Sequence, residues 1–204
     1  MGTAGHLGRT GDGQPPAEVL QCLMPFSATL SAIDGWLAEH APLTLRDLPP
    51  PATTADLAKV RAHLGVDLIK DVEEMLRWHN GAGRATPPFC LAPRFAFLGT
   101  ADMIAVSRRR IAEDEDRPMW HPWHRQWLPV ATGRRGAYLV VDHSDSDTHG
   151  HLTVSSTEDG RDDPKSWPDL GTLLSRTYEA MRYGSRFMKS RRTVLDGRLD
   201  WEEA

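Results

Sequence analysis

The chain has few cysteines and no long apolar run, and each of these features argues against a class of protein. Cys22 and Cys90 are the only cysteines among its 204 residues, which argues against a disulfide framework and favours a reducing compartment. No segment approaches the roughly 18 apolar residues that a membrane span needs. The first residues also lack the charged and apolar regions of a secretory signal. We therefore expect a cytoplasmic protein without membrane contact.

An excess of positive charge is also missing. The formal net charge is −4, from 28 acidic and 24 basic residues, so direct nucleic-acid binding is not expected. The sequence contains no Gly-x-Ser-x-Gly elbow, no P-loop and no dinucleotide-binding glycine pattern. The sequence therefore shows none of these common catalytic or nucleotide-binding signatures, and we expect no cofactor.

Apolar residues at helical spacing predict several helices in the first half of the chain. The pattern indicates an amphipathic helix over 25–40 and a pair of short helices near 54–64 and 69–79. A further helix begins at Thr100, and we expect it to give way to a solvated loop at 113–116, because four adjacent acids oppose the dipole at a helix C-terminus.

Shorter apolar runs predict strands in the second half. Residues 89–98 indicate one or two short strands, and 127–131, 137–142 and 152–155 indicate an antiparallel meander. A last helix is expected to begin near residues 166–169 and to end at Gly184. The order of helix pair, central antiparallel sheet and C-terminal helix packed on that sheet predicts an α+β fold.

Six short motifs follow one another in a familiar order. They are the Pro-rich lead-in Leu48-Pro49-Pro50-Pro51-Ala52-Thr53, the helix end Leu64-Gly65, the turn His79-Asn80-Gly81, and the segments Phe95-Ala96-Phe97-Leu98, Trp127-Leu128-Pro129-Val130 and Gly136-Ala137-Tyr138-Leu139-Val140-Val141-Asp142. Together they resemble the SUKH superfamily, which joins fungal cell-wall-synthesis regulators to bacterial toxin-immunity proteins. The resemblance covers about Leu48 to Tyr183.

This resemblance implies a non-catalytic domain that binds another protein. In the bacterial branch that partner is a cognate protein toxin, often a nuclease, which the immunity protein neutralises. We accordingly divide the chain into a flexible tail (1–24), an accessory amphipathic helix (25–47), a SUKH-like domain (48–184) and a basic tail with a short terminal hairpin (185–204). A regulatory scaffold of the fungal type is an alternative.

Aromatic and acidic residues mark the expected partner-binding site. Trp120 and Trp123 lie between prolines in what we predict to be an exposed excursion, where indoles can act as binding hot spots. The stretch from Glu113 to Asp163 carries eleven acids and five arginines, which predicts an acidic surface for a basic partner. The predicted partner-binding residues are Trp120, Trp123, Asp142, Asp145, Asp147, Glu158 and Asp159.

The same loops contain histidines, so a metal-binding hydrolase is a second alternative. Its ligands would come from His121, His124, Asp145, Asp147 and His149. A calcium loop beginning at Asp145 would need a bidentate Glu at its closing position, where the chain has Ser156. No cysteine accompanies the histidines to indicate zinc. We therefore predict no metal.

The turn His79-Asn80-Gly81 is expected to end the helix near 69–79. The His79 imidazole would then contact the last backbone carbonyls of that helix.

Overall fold

The computed structural model describes residues 24–116, 123–155 and 167–204, so Trp120, His121, Glu158 and Asp159 lie outside the described residues.

Four helices form the first part of the fold. The four helices are α1 (Phe26–His40), α2 (Pro42–Asp47), α3 (Thr54–Leu64) and α4 (Lys70–Trp78). We did not expect α2, which begins with a proline at a position where a helix tolerates the missing N–H.

Helix α3 begins and ends where its sequence predicts. The Thr53 side chain accepts a hydrogen bond from the backbone N–H of Asp56, and the Asp56 carboxylate accepts one from the backbone of Thr53. Gly65 ends the helix in the left-handed conformation, with φ of 72°.

The turn His79-Asn80-Gly81 after α4 contacts both the Pro-rich segment and the start of the next helix. The contacts of its imidazole differ from our expectation. His79 has an extended backbone, and its Nδ1 lies 2.8 Å from the carbonyl oxygen of Pro49, so the imidazole does not meet the last carbonyls of α4. Asn80 Oδ1 instead accepts a hydrogen bond from the N–H of Thr100 (2.8 Å) at the start of the next helix. Gly81 has φ of 95°, and a Cβ there would lie 2.6 Å from the nitrogen of Gly99. The motif thus joins α4 to the next helix through a close backbone contact.

An antiparallel sheet of five strands follows. Its strands are β1 (Cys90–Ala92), β2 (Phe95–Phe97), β3 (Trp127–Thr132), β4 (Tyr138–Asp142) and β5 (Leu152–Ser155), and their order in the sheet is the order in the chain. All five residues of β4 are buried, as its continuous apolar run predicts.

Helix α5 (Thr100–Asp116) lies between β2 and β3 in sequence and packs on α3 and β3. Our prediction of a loop at 113–116 is wrong, because the helix includes all four acids. Glu113 pairs with Arg110 (2.9 Å) and Glu115 with Arg125 (2.8 Å), while Asp114 accepts a hydrogen bond from the backbone N–H of Trp123. These contacts offset the unfavourable helix dipole.

The chain closes with helix α6 (Leu170–Tyr183) and a hairpin of β6 (Ser190–Leu195) and β7 (Arg198–Glu203). Asp169 caps α6 and Gly184 ends it, at the positions that the sequence predicts. The hairpin turns at Asp196-Gly197 and packs on α2, where the Leu199 N–H donates to Thr44 Oγ1 (2.9 Å) and Arg198 pairs with Asp47 (2.7 Å).

One apolar core joins these elements. It includes Ile33 and Leu37 of α1, Leu139 and Val141 of β4, and Leu199 of β7. The α+β class, with N-terminal helices, a central antiparallel sheet and a C-terminal helix, is therefore confirmed. None of the helices in the described ranges has the length and apolar character needed to cross a bilayer.

Candidate functional site

Three segments meet at one end of the sheet. Trp127 at the start of β3 pairs with Asp142 at the end of β4, and Val141 pairs with Leu152 at the start of β5. The residues that precede β3 and the loop that follows β4 therefore lie at the same end, joined by a hydrogen bond from the His143 N–H to the Gln126 carbonyl (2.9 Å). The linker between α3 and α4 also lies here, in contact with a common cleft. We call residues 65–69, 123–126 and 143–151 the sheet-end surface.

Asp142 organises the β4–β5 loop from within. Its Oδ1 accepts hydrogen bonds from the N–H of Ser144 (2.8 Å) and from its hydroxyl (2.6 Å), and its Oδ2 accepts one from the hydroxyl of Thr148 (2.7 Å). Burial raises the pKa of Asp142, but these hydrogen bonds outweigh it and the net pKa is lowered. Asp142 is only 7% exposed, so it acts within the loop, and its predicted role in partner binding stays a prediction.

Asp145 and Asp147 stand on the outside of the same loop. Both residues are exposed, and within the described ranges no cation lies at ion-pair distance from either carboxylate. His149 follows these two residues in the same loop. Its Nδ1 lies 2.9 Å from the Ser144 carbonyl oxygen, and this contact restricts the loop conformation. The loop thus presents two free negative charges on an ordered backbone.

Trp123 lies in the core instead of in an exposed excursion. It is 5% exposed, and its ring meets those of Trp127 (6.0 Å between centroids) and Tyr138 (6.3 Å) edge to face. The guanidinium of Arg110 lies 5.5 Å from its ring centroid. This position corrects the expected exposure of Trp123, and it fixes the segment that leads into β3. Trp120, Glu158 and Asp159 lie outside the described residues, so their predicted role stays a prediction.

The histidines of these loops do not gather around one point. In the part of the chain that the structure describes, no three side chains of His, Cys, Asp or Glu are grouped as metal ligands. The set His124, Asp145, Asp147 and His149 therefore forms no centre by itself, and His121 is outside the described residues.

Two clefts flank the α3–α4 linker. The first, which we call the linker cleft, has a volume of about 410 Å³ and is lined by Val66, Asp67, Leu68, Ile69, Gln126, His143, Asp145 and His149. The second has a volume of about 440 Å³ between α3 and α5, with His63, Arg108, Glu115 and Arg125 among its lining residues. Of the residues that line the linker cleft, the sequence predictions included Asp145 and His149 but not His143 or the linker itself.

A sequence signal for His143 does exist. His143 directly follows the continuous apolar run of β4, and such a run predicts burial on both faces of the sheet. The structure shows this position, with His143 only 3% exposed.

The cysteine within the described residues is not a reactive thiol. Burial raises the pKa of Cys90 to about 12, so the thiolate needed for nucleophilic attack is scarce at neutral pH.

The comparison with protein families gives one match. The family model described as the SMI1 / KNR4 family (SUKH-1) matches residues 51–176. Proteins of this family are in general non-catalytic interaction modules. A search among curated proteins found no match. Because the family model spans more than half of the chain and includes the helix pair, the sheet and the first half of α6, the chain belongs to the SMI1 / KNR4 (SUKH-1) family.

Proposed function

We propose that this protein is an immunity protein, which binds a cognate toxin of the nuclease class and covers its active site with the sheet-end surface. The observation that carries the proposal is the pair of exposed carboxylates, Asp145 and Asp147, on a loop that the buried Asp142 holds in place. Family membership supports a protein-binding role.

The charge of this surface suits such a partner. Nucleases bind the phosphates of their substrate with basic residues, and phosphate contacts of this kind dominate nucleic-acid affinity. A surface with free carboxylates is attracted to the same basic cleft, which raises the association rate and suppresses wrong partners. Glu158 and Asp159, which lie outside the described residues, remain predicted partner-binding residues.

Ordering of the loop before binding also favours this role. Flexible side chains and loops lose conformational entropy when they are immobilised at an interface. The hydrogen bonds from Ser144 and Thr148 to Asp142 already fix the loop that carries the charges. Less ordering is then needed on association, and more of the contact energy appears as affinity.

The test begins with the reading frames beside the one that encodes this chain. The C-terminal module of a large secreted protein encoded there should arrest growth when it is expressed alone, and co-expression of this chain should restore growth. The double variant Asp145→Lys/Asp147→Lys should weaken the purified complex about tenfold or more, mainly through a slower association rate at low salt.

A charge-matched double variant serves as the control. Glu39→Lys/Glu202→Lys changes the net charge equally at exposed positions on α1 and β7, away from the sheet-end surface, and should bind normally. The proposal fails if no neighbouring module is neutralised, or if both double variants lose the same affinity.

A further inference from the structure

The linker cleft combines an apolar wall with polar groups. Val66, Leu68 and Ile69 supply aliphatic surface from the α3–α4 linker. Gln126, His143 and Asp145, from the two segments at the end of the sheet, are its polar lining residues. A long side chain with an aliphatic stem and a polar head matches such a cleft, since its stem packs on apolar surface and its head reaches acceptors.

His143 contributes an acceptor that has no donor. Its Nδ1 lies 3.2 Å from the carbonyl oxygen of Val141, and because a carbonyl only accepts, Nδ1 must carry the ring proton. Burial lowers the pKa of His143, which keeps the ring neutral. The other nitrogen, Nε2, is therefore a lone-pair acceptor, and it is buried without a hydrogen-bond partner. A buried acceptor of this kind costs free energy until a donor meets it.

Asp145 adds a negative charge to the same cleft. Its carboxylate has no cation at ion-pair distance among the described residues, whereas Asp67 on the opposite side already lies 3.8 Å from Arg61. The lining of the cleft therefore includes His143, which carries a buried neutral acceptor, and Asp145, which carries an exposed charged one, and it includes no lysine or arginine.

We propose that the linker cleft binds an arginine side chain of the protein partner, with the guanidinium donating to His143 Nε2 and to the Asp145 carboxylate. Arginine suits these acceptors better than lysine, because its planar head carries five donors and can serve two acceptors at fixed angles. The proposal deepens the proposed function and rests on it for the identity of the partner, but the cleft can be tested without that partner.

The probe is N-acetyl-arginine methylamide, added to the isotope-labelled full chain at low salt and followed by nuclear magnetic resonance. The expected result is saturable binding, with shifts of the amides of residues 66–69, 126 and 143–149 and of the Nε2 resonance of His143. The citrulline analogue has the same shape without the charge, and it should cause shifts at least about tenfold smaller at equal concentration.

Two variants separate the cleft from general attraction to an acidic loop. Asp145→Asn should weaken binding of the arginine probe about threefold or more, while Asp147→Asn removes the same charge from a residue outside the cleft lining and should have little effect. His143→Gln provides a further check, because it should weaken binding without changing the net charge at neutral pH.

The proposal is overturned if Asp145→Asn and Asp147→Asn weaken binding equally, if the citrulline analogue binds as well, or if the shifts fall outside the cleft. Failure of the proposed function would look different. If the chain binds the arginine probe in the cleft but neutralises no toxin, the arginine site is supported and the immunity role is rejected. If it neutralises a toxin but does not bind the probe in the cleft, only the immunity role is supported.

Discussion

At the level of single residues, Asp142 and His143 show how neighbours at the end of one strand take different tasks. Both are buried, but Asp142 is surrounded by donors whereas His143 keeps one nitrogen without a partner. The first arrangement stabilises the loop, and the second leaves an acceptor for a ligand. Asp142 ends β4 and His143 begins the loop that follows, so the contrast comes from the partners that the loop supplies to each side chain.

Replacing Asp142 with Asn should destabilise the fold by about 2 kcal/mol, because several hydrogen bonds to a charged acceptor are lost or weakened. The measurement is urea unfolding at pH 7, well above the ordinary pKa of 3.8, where the carboxylate is fully ionised. The exposed Asp147→Asn variant should stay within about 0.5 kcal/mol of the parent. An equally small change in Asp142→Asn would show that the hydrogen bonds do not support the loop.

The position of Asp142 could not be predicted from charge alone. Its neighbours Ser144 and Thr148 look like ordinary loop residues in the sequence, and only the folded turn directs their hydroxyls to one carboxylate. Trp123 differs from its expected position for a similar reason, because the prolines around it indicate an irregular backbone but not which side the indole occupies. Local composition predicts that a segment is a loop, and it does not predict which loop side chains turn inward.

At the level of elements, the bounds predicted for α3 and the end predicted for α6 depend on contacts between residues close in sequence. The capping box at Thr53, the left-handed stops at Gly65 and Gly184 and the cap at Asp169 all involve residues close in sequence. The end of α5 was missed, because its acids are offset partly by Arg125, which comes from another segment. The packing of the hairpin on α2 was missed as well, since Thr44 and Leu199 are 155 residues apart.

The hairpin should contribute to the stability of the whole fold through Trp201. This side chain is 8% exposed, and Trp201→Ala should lower the free energy of unfolding by about 3–5 kcal/mol. Leu195 lies on the same hairpin at 74% exposure, so Leu195→Ala should change it by less than about 0.5 kcal/mol. Chemical denaturation of both variants, followed by circular dichroism, makes the comparison. Equal and small effects would mean that the hairpin is only loosely attached to α2.

At the level of the whole molecule, two histidines should give the fold a common response to acid. His63 and His143 line the clefts on the two sides of the α3–α4 linker. Burial lowers the pKa of both, and the charge of Arg108 lowers that of His63 further. Below their ordinary value of 6.5 the unfolded chain therefore binds more protons than the folded chain does.

Stability should consequently fall as the pH drops from about 7 to about 5, by at most about 1.4 kcal/mol per pH unit for each proton taken up on unfolding. Carboxylates with a lowered pKa, such as Asp142 and Glu73, begin to lose their contribution only near their ordinary values of 3.8 and 4.5, below this range. Asp71 acts in the opposite sense, because burial raises its pKa. Urea unfolding across this range should show a shallower pH slope in His143→Gln, and a still shallower one when His63→Gln is added. An unchanged pH slope in the double variant would assign the acid response to other groups. It would also contradict the conclusion that the buried imidazole of His143 is neutral.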